Sequence, residues 1–149
     1  MNIKPKIVIL SAELSTLCPV ENTARTNRLK KMLTDLHLAY GNFTDIIPIK
    51  GVYKGVKEDS FCISLKDNAW QAELDILKGF ALDNFSQEAI LFSDANRATE
   101  LLFKDGQESI GRLTSVSKEE ATQSENYGFK DILHNGEVVR TDYFMVKRV

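Results

Sequence analysis

The amino-acid sequence predicts an α+β protein whose core is a ferredoxin-like βαββαβ sandwich with additional C-terminal strands. Two long segments carry apolar residues at the 3.6-residue spacing of a helix. Four short apolar or β-branched segments flank them, in the order strand, helix, strand, strand, helix, strand. That order is typical of two helices packed on one face of an antiparallel sheet. Because 149 residues is the usual length of one domain, we predict a single domain over residues 1–149.

The first strand and the first helix occupy the N-terminal part of the chain. Residues 6–12, KIVILSA, form a short apolar run typical of a strand buried on both faces or in a subunit contact. The helix follows over NTARTNRLKKMLTDLHLAYG, where Asn22 or Thr23 can cap its start and Gly41 ends it. Its apolar face consists of residues at helical spacing: Leu29, Met32, Leu33, Leu36 and Tyr40.

A hairpin is predicted from the next two strands. Residues 43–53, FTDIIPIKGVY, are β-branched and aromatic, but Pro48 places this strand on a sheet edge or at a bulge. Residues 60–66, SFCISLK, alternate apolar and small polar side chains, as in a half-buried strand. The linking stretch GVYKGVKEDSF, residues 51–61, is interpreted as a loop whose glycines permit an unusual turn or close approach to a ligand.

The second helix and the fourth strand complete the predicted sandwich. The helix lies in DNAWQAELDILKGFALDNF, with Asp67 or Asn68 as its cap, and the strand is QEAILFS, residues 87–93. One face of this helix is apolar and carries Trp70, Leu74, Leu77, Phe80 and Ala81.

The C-terminal third predicts further strands. It contains an amphipathic RATELLF, a strand in SIGRLTSV, a capping box at Ser117 with Glu120, and an HNG turn before EVVRTDYFMV. Additional strands on an open sheet leave one sheet face needing cover, and cyclic oligomerisation can supply that cover.

Composition excludes several classes of function. The net charge is −2 with both signs interspersed, so we expect no nucleic-acid partner. No apolar run approaches the roughly 18 residues that span a bilayer, and the N-terminus lacks a signal-peptide pattern, so we expect a cytoplasmic protein without a membrane partner. Two isolated cysteines, Cys18 and Cys62, and two isolated histidines, His37 and His134, predict neither a metal site nor a disulfide framework.

Several short pieces, in this order, resemble the phage-encoded S-adenosylmethionine-degrading enzymes, called hydrolases and also described as lyases. They are LSA closing the first strand, LC with Asn22 and Arg25 at the first helix, GVY before the hairpin, Glu58, and Gln87 opening the fourth strand. The resemblance covers roughly residues 8–93. Beyond it, short segments such as SIGRL match.

The resemblance implies a homotrimer similar in build to PII-like proteins, with S-adenosylmethionine as substrate between subunits and no cofactor. Tyr53 and Glu58 would be the catalytic residues at the methionine end of the substrate. Gln87 of a neighbouring subunit would bind the adenosine end, and Ser11 would line the pocket. The implied reaction yields homoserine lactone and 5′-methylthioadenosine, and it would deplete the methyl donor in a host cell and so evade restriction.

Each of these residues also has an ordinary structural interpretation. Tyr53 and Glu58 would be a packed tyrosine and a solvated acid in a hairpin loop. Ser11 would be a plain strand-end serine and Gln87 a residue at the exit of the second helix. Arg25 is interpreted as a helix-surface charge, and the aromatic side chains of the second helix, Trp70 and Phe80, as core.

A non-catalytic PII-like trimer that binds an adenine-containing ligand is the alternative function. Glu58 discriminates between the two. A sensor of anionic nucleotides needs Lys or Arg facing phosphates, whereas an acid suits a substrate with net positive charge. A small protein that blocks a host enzyme would leave no recognisable pattern.

Overall fold

Eight antiparallel strands close into a barrel in the computed structural model, which describes residues 4–148. Around the barrel the strand order is β1-β3-β2-β7-β8-β6-β5-β4, and β4 pairs back with β1. The strands in chain order are β1 Ile7–Ser11, β2 Asp45–Tyr53, β3 Val56–Ser64, β4 Ala89–Ser93, β5 Ala98–Phe103, β6 Gly106–Val116, β7 Tyr127–His134 and β8 Glu137–Lys147.

The predicted ferredoxin-like sandwich is wrong as a fold class. The first six elements do follow the predicted order, but they do not form an open sheet. Residues 127–129 of β7 pair with residues 50–52 of β2, and β5 pairs with all of β4. Both edges of the expected sheet are therefore paired, because the C-terminal strands satisfy the backbone groups that an edge leaves open. Because the described strands close into a barrel, the uncovered open sheet that predicted oligomerisation does not form.

Two helices pack against one face of the N-terminal strands. They are α1, Pro19–Tyr40, and α2, Trp70–Gly79, which continues into a π-helical turn over Phe80–Asn84; a short α3, Lys118–Thr122, lies between β6 and β7. Alternate residues of β1 and β3 supply the sheet side of the core, since successive side chains of a strand point to opposite faces. The buried core includes Val8, Leu10, Leu29, Leu33, Phe61, Ile63, Leu77 and Phe85.

The starts of both long helices differ from the prediction. Cys18 is the N-cap residue of α1, and Asn22 lies in the first turns instead of capping them. Ala69, not Asp67 or Asn68, precedes α2, and it provides no side-chain cap. At the other end of α1 the prediction is confirmed, because Gly41 is left-handed with φ of 64°. Tyr40, predicted on the apolar face, is 76% exposed.

The segment predicted as a loop, residues 51–61, is mostly strand. β2 extends to Tyr53 and β3 begins at Val56, so the turn consists of Lys54 and Gly55, with φ of 52° and 80°. Positive φ at both positions is the geometry of a type I′ hairpin turn. Glu58 therefore lies within β3, directly opposite Gly51.

Most local signals elsewhere are confirmed. The prediction that β2 is an edge or bulged strand is wrong, since β2 pairs with both β3 and β7, but Pro48 lies outside residues 50–52, the stretch that pairs with β7. The Ser117 hydroxyl accepts a hydrogen bond from the Glu120 N–H at 3.1 Å, and Asn135 and Gly136 form the β7–β8 turn with positive φ. Within residues 4–148, no helix is both long enough and apolar enough to cross a lipid bilayer.

Candidate active site

Three of the four predicted site residues connect to one segment of backbone, residues 12–17, which we call the β1–α1 segment. Ser11 ends β1 directly before it, and Gln87 donates from its side-chain amide to the Glu13 carbonyl at 2.8 Å. Glu58 lies next to Asp59, whose backbone bonds to Ser11 and Glu13. Tyr53 stands apart from these contacts at the hairpin turn, on the same face of the β2–β3 pair as Glu58.

The side chains of Ser11 and Glu13 extend the ladder between β1 and β3. The last paired residues of that ladder are Ser11 and Ser60. Beyond them, the Ser11 hydroxyl donates to the Asp59 carbonyl at 2.8 Å and accepts from the Glu13 N–H at 3.0 Å. The Glu13 carboxylate accepts from the Asp59 N–H. Ser11 thus holds the backbone in place at this end of the sheet.

Glu58 is a half-buried carboxyl group beside a second carboxylate. Its pKa is raised from the ordinary value of 4.5 to about 7, first by burial and second by the charge of Glu13. Among residues 4–148, no donor forms a hydrogen bond to the Glu58 carboxylate. A half-buried acid without a donor, next to another acid, favours a cationic ligand, since a positive charge stabilises the ionised form.

Basic side chains near Glu58 in sequence point to the opposite face of β3. Lys57 lies over the Phe129 ring, 5.7 Å from its centroid, and Lys50 pairs with Asp59. A strand alternates its side chains between faces, so neither lysine shares the face of Glu58. The acidic character of that face is therefore not neutralised by these neighbours.

Two glycines lie beside Glu58 across the sheet. Gly51 pairs with Glu58, Gly128 pairs with Gly51, and Phe144 pairs with Gly128. A Cβ atom on Gly51 would lie 3.7 Å from Glu58 Cγ, whereas one on Gly128 would lie 2.3 Å from the Phe144 ring. The face next to Glu58 is thus clear of a side chain at Gly51, and Phe144 covers Gly128.

Tyr53 is 58% exposed, and the Lys54 ammonium lies 5.2 Å from its ring centroid. The interpretation of Tyr53 as a packed loop residue is therefore wrong, and its ring already contacts the Lys54 ammonium.

The interpretation of Arg25 as a helix-surface charge is also wrong. Its Nε donates to the Ala12 carbonyl at 2.6 Å, and its Nη2 donates to the Phe85 carbonyl. Trp70 and Phe80 do pack against the core, as predicted, and Trp70 stacks on Phe92 with 5.7 Å between ring centroids.

Glu13 is the residue that the sequence analysis missed. It follows the first strand in an unremarkable LSAEL, and its place beside Glu58 depends on the register of β1 with β3. No spacing along the chain indicates that pairing.

Two cavities in the described part of the chain lie away from these residues. One, of about 310 Å³, is lined by residues of β5, β6 and the C-terminal end, including Arg112 and Arg148. The other, of about 590 Å³, lies between β6 and β8. Neither is lined by Ser11, Tyr53, Glu58 or Gln87. Within residues 4–148, no three His, Cys, Asp or Glu side chains are grouped so that they could hold a metal ion.

Comparison with known proteins supports the resemblance stated from the residues. The model of the S-adenosylmethionine lyase family matches residues 8–136, which is most of the chain and includes all four predicted site residues. A search of curated proteins finds no match.

Proposed function

We propose, from the premise that this chain belongs to the S-adenosylmethionine lyase family, that it cleaves S-adenosylmethionine into homoserine lactone and 5′-methylthioadenosine. The observation that carries the proposal is Glu58, a half-buried carboxyl group beside Glu13, from which Lys50 and Lys57 point away. S-adenosylmethionine brings a sulfonium and an ammonium to such a site. An anionic nucleotide would be repelled by it.

The reaction needs no proton transfer. The substrate carboxylate attacks the methylene carbon bonded to sulfur, a C–O bond forms as the C–S bond breaks, and the sulfur leaves with the electron pair as a neutral thioether. The protein's task is to fold the substrate into the shape that closes a five-membered ring. Well-oriented intramolecular reactions reach effective molarities of roughly 10⁵–10⁸ M, so orientation supplies much of the acceleration.

Glu58 binds the substrate ammonium in this proposal. The ionised carboxylate accepts a hydrogen bond from the ammonium and prevents it from pairing with the nucleophilic carboxylate. A charge pair at about 4 Å near a protein surface contributes about 4 kcal/mol, which is enough to hold one end of a flexible molecule. Tyr53 offers its hydroxyl and exposed ring to the sulfonium, and such cation–π contacts contribute about 0.5–2 kcal/mol.

Gln87 and Ser11 form the remainder of the proposed site. The amide nitrogen of Gln87 donates to the Glu13 carbonyl, which fixes the side chain, and its amide oxygen is the proposed acceptor for the adenosine end of a substrate bound at the neighbouring subunit. Ser11 lines the pocket while its hydroxyl holds Asp59 and Glu13 in place.

A homotrimer with sites between subunits is part of the proposal. It is supported by the family resemblance and by exposed apolar side chains near the site, since Tyr53 and Val56 are 58% and 59% exposed. Light-scattering chromatography should give three times the chain mass at micromolar concentration. A monomer that nevertheless turns over substrate would remove the shared site and the role of Gln87 in a neighbouring subunit.

The chemistry is tested by running the reaction in water enriched in ¹⁸O and then opening the lactone by hydrolysis at its carbonyl. Intramolecular attack predicts label in the carboxyl group of homoserine and none in its side-chain hydroxyl. Label in the hydroxyl would mean that water attacked the carbon next to sulfur, as in a hydrolase. Binding of S-adenosylmethionine without any product would instead favour the non-catalytic binder.

Depletion of the methyl donor in the cytoplasm of an infected cell, with escape from restriction, is the biological role that we propose from the same resemblance. Expression in a bacterial host should lower the cellular concentration of S-adenosylmethionine and the methylation of DNA. Unchanged methylation at high expression would remove this role.

A further inference from the structure

Side chains from elsewhere in the chain hold the β1–α1 segment. Arg25 donates to the Ala12 carbonyl at 2.6 Å, and Gln87 donates to the Glu13 carbonyl at 2.8 Å. The Asn22 amide bonds both the N–H and the carbonyl of Leu14, each at 2.9 Å. These side-chain hydrogen bonds satisfy the backbone N–H and carbonyl groups of an irregular segment. They therefore hold the segment in one conformation.

Arg25 joins this segment to a second one. Its Nη2 donates to the carbonyl of Phe85, and its guanidinium lies 5.4 Å from the centroid of the Phe85 ring. Phe85 is buried and precedes Gln87 by two residues at the entry to β4. Arg25 therefore ties the backbone that carries Glu13 to the backbone that carries Gln87.

We propose that Arg25 is a positioning residue for the active site: it holds Glu13 in a fixed place relative to Glu58, and it fixes Gln87, which the proposed trimer presents to the site of a neighbouring subunit. This inference rests on the proposed function. A planar guanidinium with donors on two sides spans two carbonyl groups at once, which a lysine ammonium on a flexible stem does not reproduce. Without Arg25 both carbonyls lose their donor, and displacement of a site by about 1 Å can lower a rate by roughly 100-fold.

The positions of the charged groups around Glu58 determine whether a pH profile can detect the loss of Arg25. From the β1–α1 segment, Glu13 faces Glu58; on β3 itself, Lys57 and Asp59 point to the other face. β2 and β7 place glycines at this register, Lys50 of β2 is engaged with Asp59, and Lys130 of β7 shares the Glu58 face two residues beyond Gly128. A displaced Glu13 should therefore change the pH dependence of Glu58, which a general loss of stability would not do.

Arg28 provides a matched control. It lies on the same helix, and its guanidinium is 4.8 Å from the centroid of the same Phe85 ring. Its side chain forms no hydrogen bond or ion pair with any residue between 4 and 148. Arg28→Ala thus removes the same charge and a contact with the same ring, while the side chains that hold the β1–α1 segment stay in place.

The experiment compares wild type, Arg25→Ala, Arg25→Lys and Arg28→Ala for cleavage of S-adenosylmethionine across pH, below the unfolding temperature of each. Arg25→Ala should lower kcat/KM about 100-fold and move the Glu58-dependent break in the pH profile to lower pH. Arg25→Lys should restore kcat/KM in part, and Arg28→Ala should stay within about threefold of wild type. Equal effects of Arg25→Ala and Arg28→Ala, or a loss with an unmoved pH profile, would overturn the proposal.

Amide hydrogen exchange separates this inference from the proposed function. The Asp59 N–H is bonded to the Glu13 carboxylate and the Leu14 N–H to Asn22. Both should exchange at least tenfold faster in Arg25→Ala and at the wild-type rate in Arg28→Ala. If wild type leaves S-adenosylmethionine intact, the proposed function fails, and unchanged exchange in Arg25→Ala then overturns the positioning role as well.

Discussion

Two glutamates at opposite ends of the β2–β3 pair have opposite surroundings. Glu73, from α2, is 2% exposed, and its carboxylate accepts from the Phe43 and Lys66 N–H groups, each at 2.8 Å. These residues lie where β2 begins and β3 ends. Glu58 lies near the turn at the other end, where it has no donor among the described residues and faces Glu13.

The difference shows that Glu73 is a structural acid, and it supports the proposal that Glu58 binds a ligand. Glu73 supplies acceptors to backbone N–H groups that the ladder leaves unpaired, so its carboxylate is used within the fold. Glu58 has no such donor among the described residues, and carboxyl groups with a raised pKa concentrate at functional sites, which supports the ligand-binding role proposed for it.

The largest expected effect is on turnover. Glu58→Gln keeps the shape of the side chain but removes the charge that binds the ammonium. A hydrogen bond to a charged group contributes about 1.5–3 kcal/mol, so turnover of S-adenosylmethionine should fall by about 100-fold. Glu108→Gln, at an exposed strand position, is the control and should retain wild-type turnover. A folded Glu58→Gln protein with near-normal turnover would make Glu58 a residue without catalytic importance.

The same substitution at the other end of the hairpin should act on stability. Glu73→Gln replaces one acceptor oxygen by an NH₂ group, which leaves a buried backbone N–H without a partner. The expected loss in free energy of unfolding is about 1–3 kcal/mol by chemical denaturation. Turnover per folded molecule should stay unchanged. If Glu73→Gln lowered turnover but not the free energy of unfolding, Glu73 would be the functional acid, and the contrast drawn between Glu73 and Glu58 would be wrong.

Removing the Glu58 charge should stabilise the protein above neutral pH. The folded-state pKa, about 7, exceeds the unfolded value, 4.5, so the folded state binds more protons between these values. The contribution of Glu58 to stability is therefore complete below about pH 4.5 and lost as pH rises through about 7. As pH rises from about 4.5 to about 7, the unfolding temperature of Glu58→Gln should increase relative to that of wild type. A constant difference between the two proteins from pH 4 to 8 would contradict this assignment.

Local signals in the sequence predicted local structure. The left-handed Gly41, the Ser117 cap and the Asn135 and Gly136 turn each depend on a few adjacent residues. The barrel depends instead on the pairing of β7 with β2 and of β5 with β4. The sequences of these segments do not indicate which strand each one pairs with. The ferredoxin-like fold was therefore predicted wrongly, because these long-range strand pairings could not be predicted.

The candidate site shows the same difference between local signals, which the sequence contains, and long-range contacts, which it does not indicate. Glu58 and Tyr53 were identified from the family resemblance, but their strand positions were not, because Lys54 adopts positive φ in a turn that normally favours Asn or Gly. Glu13 and Arg25 act through contacts with residues far along the chain, Asp59 and Phe85. In the sequence, an arginine in the first turns of a helix and an acid after a strand carry no pattern that predicts such contacts.

The smallest effect concerns the influence of Glu13 on Glu58. Burial is the larger cause of the raised Glu58 pKa and the Glu13 charge the smaller one, so Glu13→Gln should lower that pKa only part of the way from about 7 toward 4.5. The amide oxygen of the substituted residue still accepts from the Asp59 N–H, which keeps the β1–α1 segment in place.

In the proposed mechanism a proton on Glu58 competes with the substrate ammonium, so kcat/KM of wild type should decline as pH falls below about 7. In Glu13→Gln the decline should begin at lower pH, and in Glu58→Gln it should be absent. A break that stays at the wild-type pH in Glu13→Gln would show that the Glu13 carboxylate does not act on Glu58, and a break that moves to higher pH would reverse the sign of the interaction.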